Sequence, residues 1–119
     1  MSNDASVTIF HNPACGTSRN ALQAIRDAGR DATVVEYLKV GWSREQLREL
    51  FARAGVSPRE ALRVRGTQAD SLGLTAEGVD EARLLDAMVA DPALVQRPFV
   101  VTDKGAVLAR PAERVAEVL

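Results

Sequence analysis

A single cysteine, Cys15, lies in the segment His11-Asn12-Pro13-Ala14-Cys15-Gly16-Thr17-Ser18-Arg19. A thiol is nucleophilic as its thiolate, and a free cysteine with a pKa of about 8.5 is mostly protonated at neutral pH. Features of this segment favour the charged form. Cys15 follows a short apolar run and precedes a helical pattern, so unsatisfied helix N–H groups can point at its sulfur. Arg19 stands four residues later, one helical turn on, and can face the same end. His11 stands four residues earlier, on the strand side of the loop. Ser18 completes a Cys-x-x-Ser spacing, and its hydroxyl is expected to donate to the thiolate. The chemistry these residues suit is nucleophilic attack by an activated thiolate. An inert thiol would more naturally sit within the core than at a strand-to-helix loop.

Neighbouring residues narrow that chemistry. A phosphatase loop needs Cys-x5-Arg to wrap an oxyanion, and the sixth residue after Cys15 is Ala21. A dithiol redox motif needs a second cysteine where Ser18 stands. With one Cys and one His in the chain, a multi-cysteine zinc site is impossible and metal binding is not expected. An intramolecular disulfide is impossible too, so the thiol must find its reducing partner on another molecule.

The elements that position this loop follow from pattern. Val7-Thr8-Ile9-Phe10 reads as a strand. Leu22, Ile25 and Ala28, widened by Ala21 and Ala24, form a helical stripe that Gly29 ends. Thr33 to Tyr37 reads as a second strand. Ser43 and Gln46 form a capping box for a helix with Leu47, Leu50, Phe51 and Ala54 on one face, ended by Gly55. Ser57 and Pro58 open a short helix to about Arg63. An irregular stretch with Gly66, Gly73 and Gly78 leads to a helix from about Asp80 to Ala90. Phe99 to Thr102 and Ala106 to Ala109 read as a hairpin, and Pro111 opens a last helix carrying Val115, Val118 and Leu119.

The order is β-α-β, a helical block over about residues 43–90, then β-β-α. A right-handed crossover makes the first two strands parallel, and the hairpin adds an antiparallel pair. The expected fold is α/β, a four-stranded mixed sheet with helices. It resembles the thioredoxin order with a helical insertion, in one domain over residues 1–119. Thioredoxin-like folds carry a cis-proline before the third strand, near the thiol. Base rates favour trans for any X-Pro bond, but the rest of the pattern favours cis for Pro98.

Composition sets the outer bounds. The chain has 119 residues, 46% apolar and 26% charged, which suits one globular core. A net charge of −1 argues against a nucleic-acid module. No apolar run approaches the roughly 18 residues of a membrane span, and the N-terminus carries no secretory signal pattern. A cytoplasmic protein is expected, and a monomer, given aromatic residues at 4%.

The ten residues His11 to Asn20 resemble the His-x3-Cys-x3-Arg signature of the glutaredoxin-coupled arsenate reductases, the ArsC family. The likeness extends through Ala61-Leu62-Arg63, Leu72-Gly73-Leu74, Gln96 to Thr102 and Ala109-Arg110-Pro111, in order. It implies a thioredoxin-like fold with a helical insertion. It implies Cys15 as the nucleophile, His11 and Arg19 as its motif partners, and Arg63, Arg97 and Arg110 as oxyanion-binding residues. Guanidinium groups grip phosphate-like oxyanions in bidentate fashion. Longer members continue past the position of Leu119, so any role of their tail is expected to be missing.

The implied activity is reduction of arsenate to arsenite through a Cys15 thiol-arsenate adduct. Glutathione is the implied co-substrate and glutaredoxin the implied partner, with no tightly bound cofactor. Two other readings compete. One is a general glutathione-dependent thiol oxidoreductase of thioredoxin fold, without arsenate activity, for which three oxyanion arginines have no use. The other is a Spx-like regulator that binds RNA polymerase, a group that commonly has the second cysteine absent here.

Overall fold

The computed structural model describes residues 6–119, in two compact units. One unit comprises the chain up to Val40 together with Arg97–Leu119, and the other is Gly41–Gln96.

The first unit is built on a four-stranded sheet. Its strands are β1 (Val7–Phe10), β2 (Ala32–Val35), β3 (Phe99–Thr102) and β4 (Gly105–Leu108), in the order β2-β1-β3-β4. β1 pairs parallel with β2 and antiparallel with β3, and β3 pairs antiparallel with β4. Ile9 stands opposite both Val34 and Val100, and Val100 opposite Val107. Paired residues share a face, so Val7, Ile9, Val100 and Val107 form one apolar surface. Helix α1 (Gly16–Asp27) covers it with Ala21, Leu22 and Ile25, and a 3₁₀ segment (Ala112–Glu117) adds Ala112 and Val115. Ile9 and Ile25 are fully buried, and each such side chain contributes about 1.5–3 kcal/mol by leaving water. This core fixes the end of β1 and the start of α1, and therefore the loop between them.

The strand expected over Thr33 to Tyr37 ends earlier. Tyr37 belongs instead to a short helix, α2 (Tyr37–Val40), whose turn closes when Lys39 and Val40 N–H donate to the Glu36 carbonyl at 2.9 and 3.2 Å. Tyr37 is 1% exposed, and burial of its ring outweighs its strand propensity. The last segment is 3₁₀ rather than α: Arg114 N–H donates to the Pro111 carbonyl, and Val118 N–H to Val115, both three residues back. β4 begins at Gly105, one residue before its expected start, because Thr102 pairs with Gly105.

The second unit is helical. Helix α3 (Arg44–Ala54) starts at the expected capping box of Ser43 and Gln46, buries Leu47, Leu50 and Phe51, and ends at Gly55 with φ +69°. That left-handed backbone is one glycine adopts without steric cost. Helix α4 (Pro58–Ala61) is capped by Ser57 and Glu60. It stops before Arg63, because Leu62 is extended and bridges antiparallel to Val95. Helix α5 (Glu81–Ala90) is capped by Asp80 and buries Leu84, Leu85 and Met88. Arginines tie down the glycine-rich stretch before it. Arg59 Nη2 donates to the Ala76 and Val79 carbonyls, and Arg83 Nη2 to Leu72. Among the described residues no helix is long and apolar enough to cross a membrane.

Candidate active site

Cys15 is the N-cap residue of α1, with extended backbone. The Asn-Pro turn delivers it there. Asn12 Oδ1 accepts from the Ala14 N–H at 3.0 Å, and the Asn12 carbonyl accepts from the Cys15 N–H at 3.0 Å. This Asx turn lets the chain leave the strand and enter the helix within five residues. The Cys15 carbonyl then accepts from the Arg19 N–H at 3.0 Å, the first intrahelical bond.

The sulfur therefore faces the helix N-terminus. Burial would push the Cys15 thiol up. The Ser18 N–H, the Arg97 guanidinium and the Thr17 N–H outweigh burial and bring it down to about 7. Near neutral pH the group is then close to half thiolate. Arg110 adds a second cation. Its Nη1 lies 4.0 Å from Cys15 Sγ and donates to the Arg97 carbonyl at 2.9 Å. That second bond fixes one arginine against the backbone of the other. Arg97 Nε is buried and finds no acceptor among the described residues. A buried N–H in that condition is costly unless an acceptor reaches it. The Arg97–Pro98 and Arg110–Pro111 peptide bonds are both cis, so each of these arginines directly precedes a cis-proline.

Ser18 and His11 act differently from the expectation. The Ser18 hydroxyl does not donate to the sulfur. Its oxygen accepts from the Asn12 N–H at 3.1 Å, and it lies 2.7 Å from His11 Nδ1. A short buried hydrogen bond thus joins the hydroxyl to the imidazole. Ser18 serves the thiol through its backbone N–H instead. His11 is 6% exposed. Burial lowers its pKa, Glu36 opposes that, and Arg26 and Arg19 lower it further. The ring is thus neutral at pH 7. His11, Ser18 and Asn12 form a buried brace behind the loop. Arg19 is exposed, and its Nη1 donates to the Pro13 carbonyl at 2.9 Å, spanning the outside of the same loop.

The first unit brings Cys15, Arg97 and Arg110 together around the thiol. Arg63 belongs to the second unit, where its backbone N–H donates to Leu94 at 2.7 Å and its Nη1 to Gln96 Oε1 at 3.3 Å. Sequence reasoning missed the roles of Asn12 and Gln96. The Asn-Pro dipeptide signalled the first, since Asn side chains accept from the backbone two residues on. Nothing local signalled the second. Among the described residues no group of His, Cys, Asp and Glu could hold a metal ion. The arrangement has the parts of a thiolate nucleophile facing a cationic, anion-receiving wall.

The sequence model of the ArsC family matches residues 10–118. An arsenate reductase of Rhizobium meliloti is 51% identical over 114 residues, covering 96% of this chain and 81% of the relative. An arsenate reductase of Escherichia coli strain K12 is 44% identical over 115 residues, covering 97% of this chain and 82% of the relative. Among solved structures, an arsenate reductase from Vibrio cholerae superposes with a TM-score of 0.93 at 34% identity. It covers 98% of this chain and all of the neighbour. The sheet order and its helices are those of a thioredoxin-like fold.

Proposed function

The chain belongs to the ArsC family, and from that premise we propose that it reduces arsenate to arsenite with glutathione and glutaredoxin as reductants. The observation that carries the reading is the Cys15 thiol, held at about 7 at a helix N-terminus with Arg97 and Arg110 beside it.

Arsenate, like phosphate, carries roughly −1.5 to −2 charges at neutral pH. Arg63, Arg97 and Arg110 offset that charge, and Arg97 Nε offers a buried donor to an arsenate oxygen. Cys15 thiolate attacks arsenic(V). A sulfur–arsenic bond forms and one arsenic–oxygen bond breaks, with the oxygen leaving as water after protonation. Glutathione thiolate then displaces a second oxygen and becomes bonded to arsenic. The glutaredoxin thiolate attacks the glutathione sulfur, giving a mixed disulfide. The electron pair of the broken arsenic–sulfur bond stays on arsenic, which becomes arsenic(III). Water cleaves the Cys15–arsenic bond and arsenite departs. Outside thiols are needed because the chain has one cysteine. The reaction belongs in the cytoplasm, where glutathione stays reduced.

The test is NADPH oxidation coupled through glutathione reductase, with glutathione and glutaredoxin present. Oxidation should require both the protein and arsenate. Oxidation driven by a glutathionylated thiol without arsenate would favour the general oxidoreductase instead.

A further inference from the structure

Arg63 is fixed by a short ladder inside the second unit. Its N–H donates to the Leu94 carbonyl at 2.7 Å, Leu62 bridges to Val95, and the Gln96 N–H returns to the Ala61 carbonyl at 2.8 Å. On the other side, Thr67 Oγ1 donates to the Arg63 carbonyl at 2.8 Å. These bonds hold the backbones of residues 61–63 and 94–96 in register. Gln96 also reaches the long Arg63 side chain. Its amide oxygen accepts from Arg63 Nη1 at 3.3 Å, and both residues are half-buried. The orientation of the amide follows from chemistry, because a guanidinium only donates and so must face the oxygen of the amide.

We propose that Gln96 is a positioning residue that aims the Arg63 guanidinium for oxyanion binding. The inference rests on Arg63 belonging to the oxyanion site. A flexible arginine that must be ordered when the anion arrives binds it less tightly than one already held. An amide suits this role better than a carboxylate. It accepts from the guanidinium without adding a negative charge beside the site of an anion. The chain places Gln96 directly before Arg97, so one short segment carries an oxyanion arginine and the residue that aims another.

The probe is arsenate itself, read as the concentration that half-protects Cys15 from alkylation by iodoacetamide. This readout needs no reductant. Gln96→Met keeps the length of the side chain and removes the acceptor. It should raise the half-protecting concentration about 3- to 10-fold, the loss of one modest hydrogen bond to a charged group. Gln96→Glu keeps the acceptor and adds charge, and should raise it at least as far. The Gln96→Met increase should vanish when Arg63 is already Ala, which separates aiming of Arg63 from a general effect on packing. If Gln96→Met and Gln96→Glu leave protection unchanged while Arg63→Ala weakens it, Gln96 has no positioning role and the reading of Arg63 stands. Equal losses from Gln96→Met with and without Arg63 would also overturn the proposal, because Gln96 would then act elsewhere. If Arg63→Ala itself leaves protection unchanged, the reading of Arg63 fails and the proposal falls with it.

Discussion

Arg110 Nη1 lies 4.0 Å from Cys15 Sγ, although the two residues are 95 positions apart in the chain. The same nitrogen donates to the Arg97 carbonyl at 2.9 Å. Two arginines that flank the β3-β4 hairpin, side by side at its open end, are thus locked to each other and face one thiol. Their charges add to the pull of the Ser18 and Thr17 N–H groups on the thiolate.

Arg97→Ala removes the guanidinium that favours the thiolate, while burial and the helix N–H groups remain. The Cys15 pKa should rise above its present value of about 7, toward the ordinary thiol range. The rate of iodoacetamide alkylation, measured from pH 5 to 10, reads the shift. A midpoint that stays in place would mean that Arg97 does not activate Cys15, leaving the helix terminus and Arg110 to do so.

Loss of a single charge-assisted contact to arsenate costs about 1.5–3 kcal/mol. Arg63→Ala, Arg97→Ala and Arg110→Ala should each lower kcat/KM for arsenate about 10- to 100-fold. Steady-state kinetics of the three variants would show it. Unchanged kcat/KM in all three would remove them from the oxyanion site.

Ser18→Ala separates structure from activation. It breaks the buried bonds to His11 Nδ1 and the Asn12 N–H, and should destabilise the fold by about 1–3 kcal/mol in urea unfolding. The backbone N–H of residue 18 remains, so the thiol pKa should move little. A large rise in that pKa with unchanged stability would restore the hydroxyl to direct contact with the thiolate.

His11 gives the fold a pH dependence of calculable sign. Its folded pKa lies below its unfolded value, so between the two the unfolded chain binds more protons and stability rises with pH. The contribution is complete above the ordinary imidazole value of about 6.5. It is lost as pH falls from there through the folded value. Because the chain has one histidine, urea unfolding at pH 7 and pH 5.5 should show this loss in the wild type and a smaller one in His11→Asn. Cys15 adds a separate rise above pH 7, since its folded pKa is also lowered and the thiolate is favoured in the fold.

These relationships differ in how far they could be read from residue order. The capping box at Ser43, the N-cap at Ser57 and the glycine end at Gly55 are local, and were legible because caps depend on residues within one turn. The strand-to-helix position of Cys15 was legible for the same reason. The meeting of Cys15 with Arg110 depends on two strand pairings and a hairpin. No local spacing reports it, and only resemblance pointed to that arginine. The Ser18 hydroxyl was misdirected because its choice between Cys15 and His11 is set by burial of the imidazole, a tertiary fact. Tyr37 left its strand because its ring is buried, which outweighs propensity. Gln96 stayed invisible because its partner lies 33 residues away across an isolated bridge.

The central claim is that one activated thiol, Cys15, attacks arsenate and relies on outside thiols to finish. The most direct measurement is arsenite formed by the wild type and by Cys15→Ser, with glutathione and glutaredoxin supplied together, singly, or replaced by thioredoxin. We expect arsenite from the wild type with both reductants, little with either alone or with thioredoxin, and none from Cys15→Ser under any condition. Arsenite formation by Cys15→Ser, or full wild-type turnover with thioredoxin alone, would contradict the account.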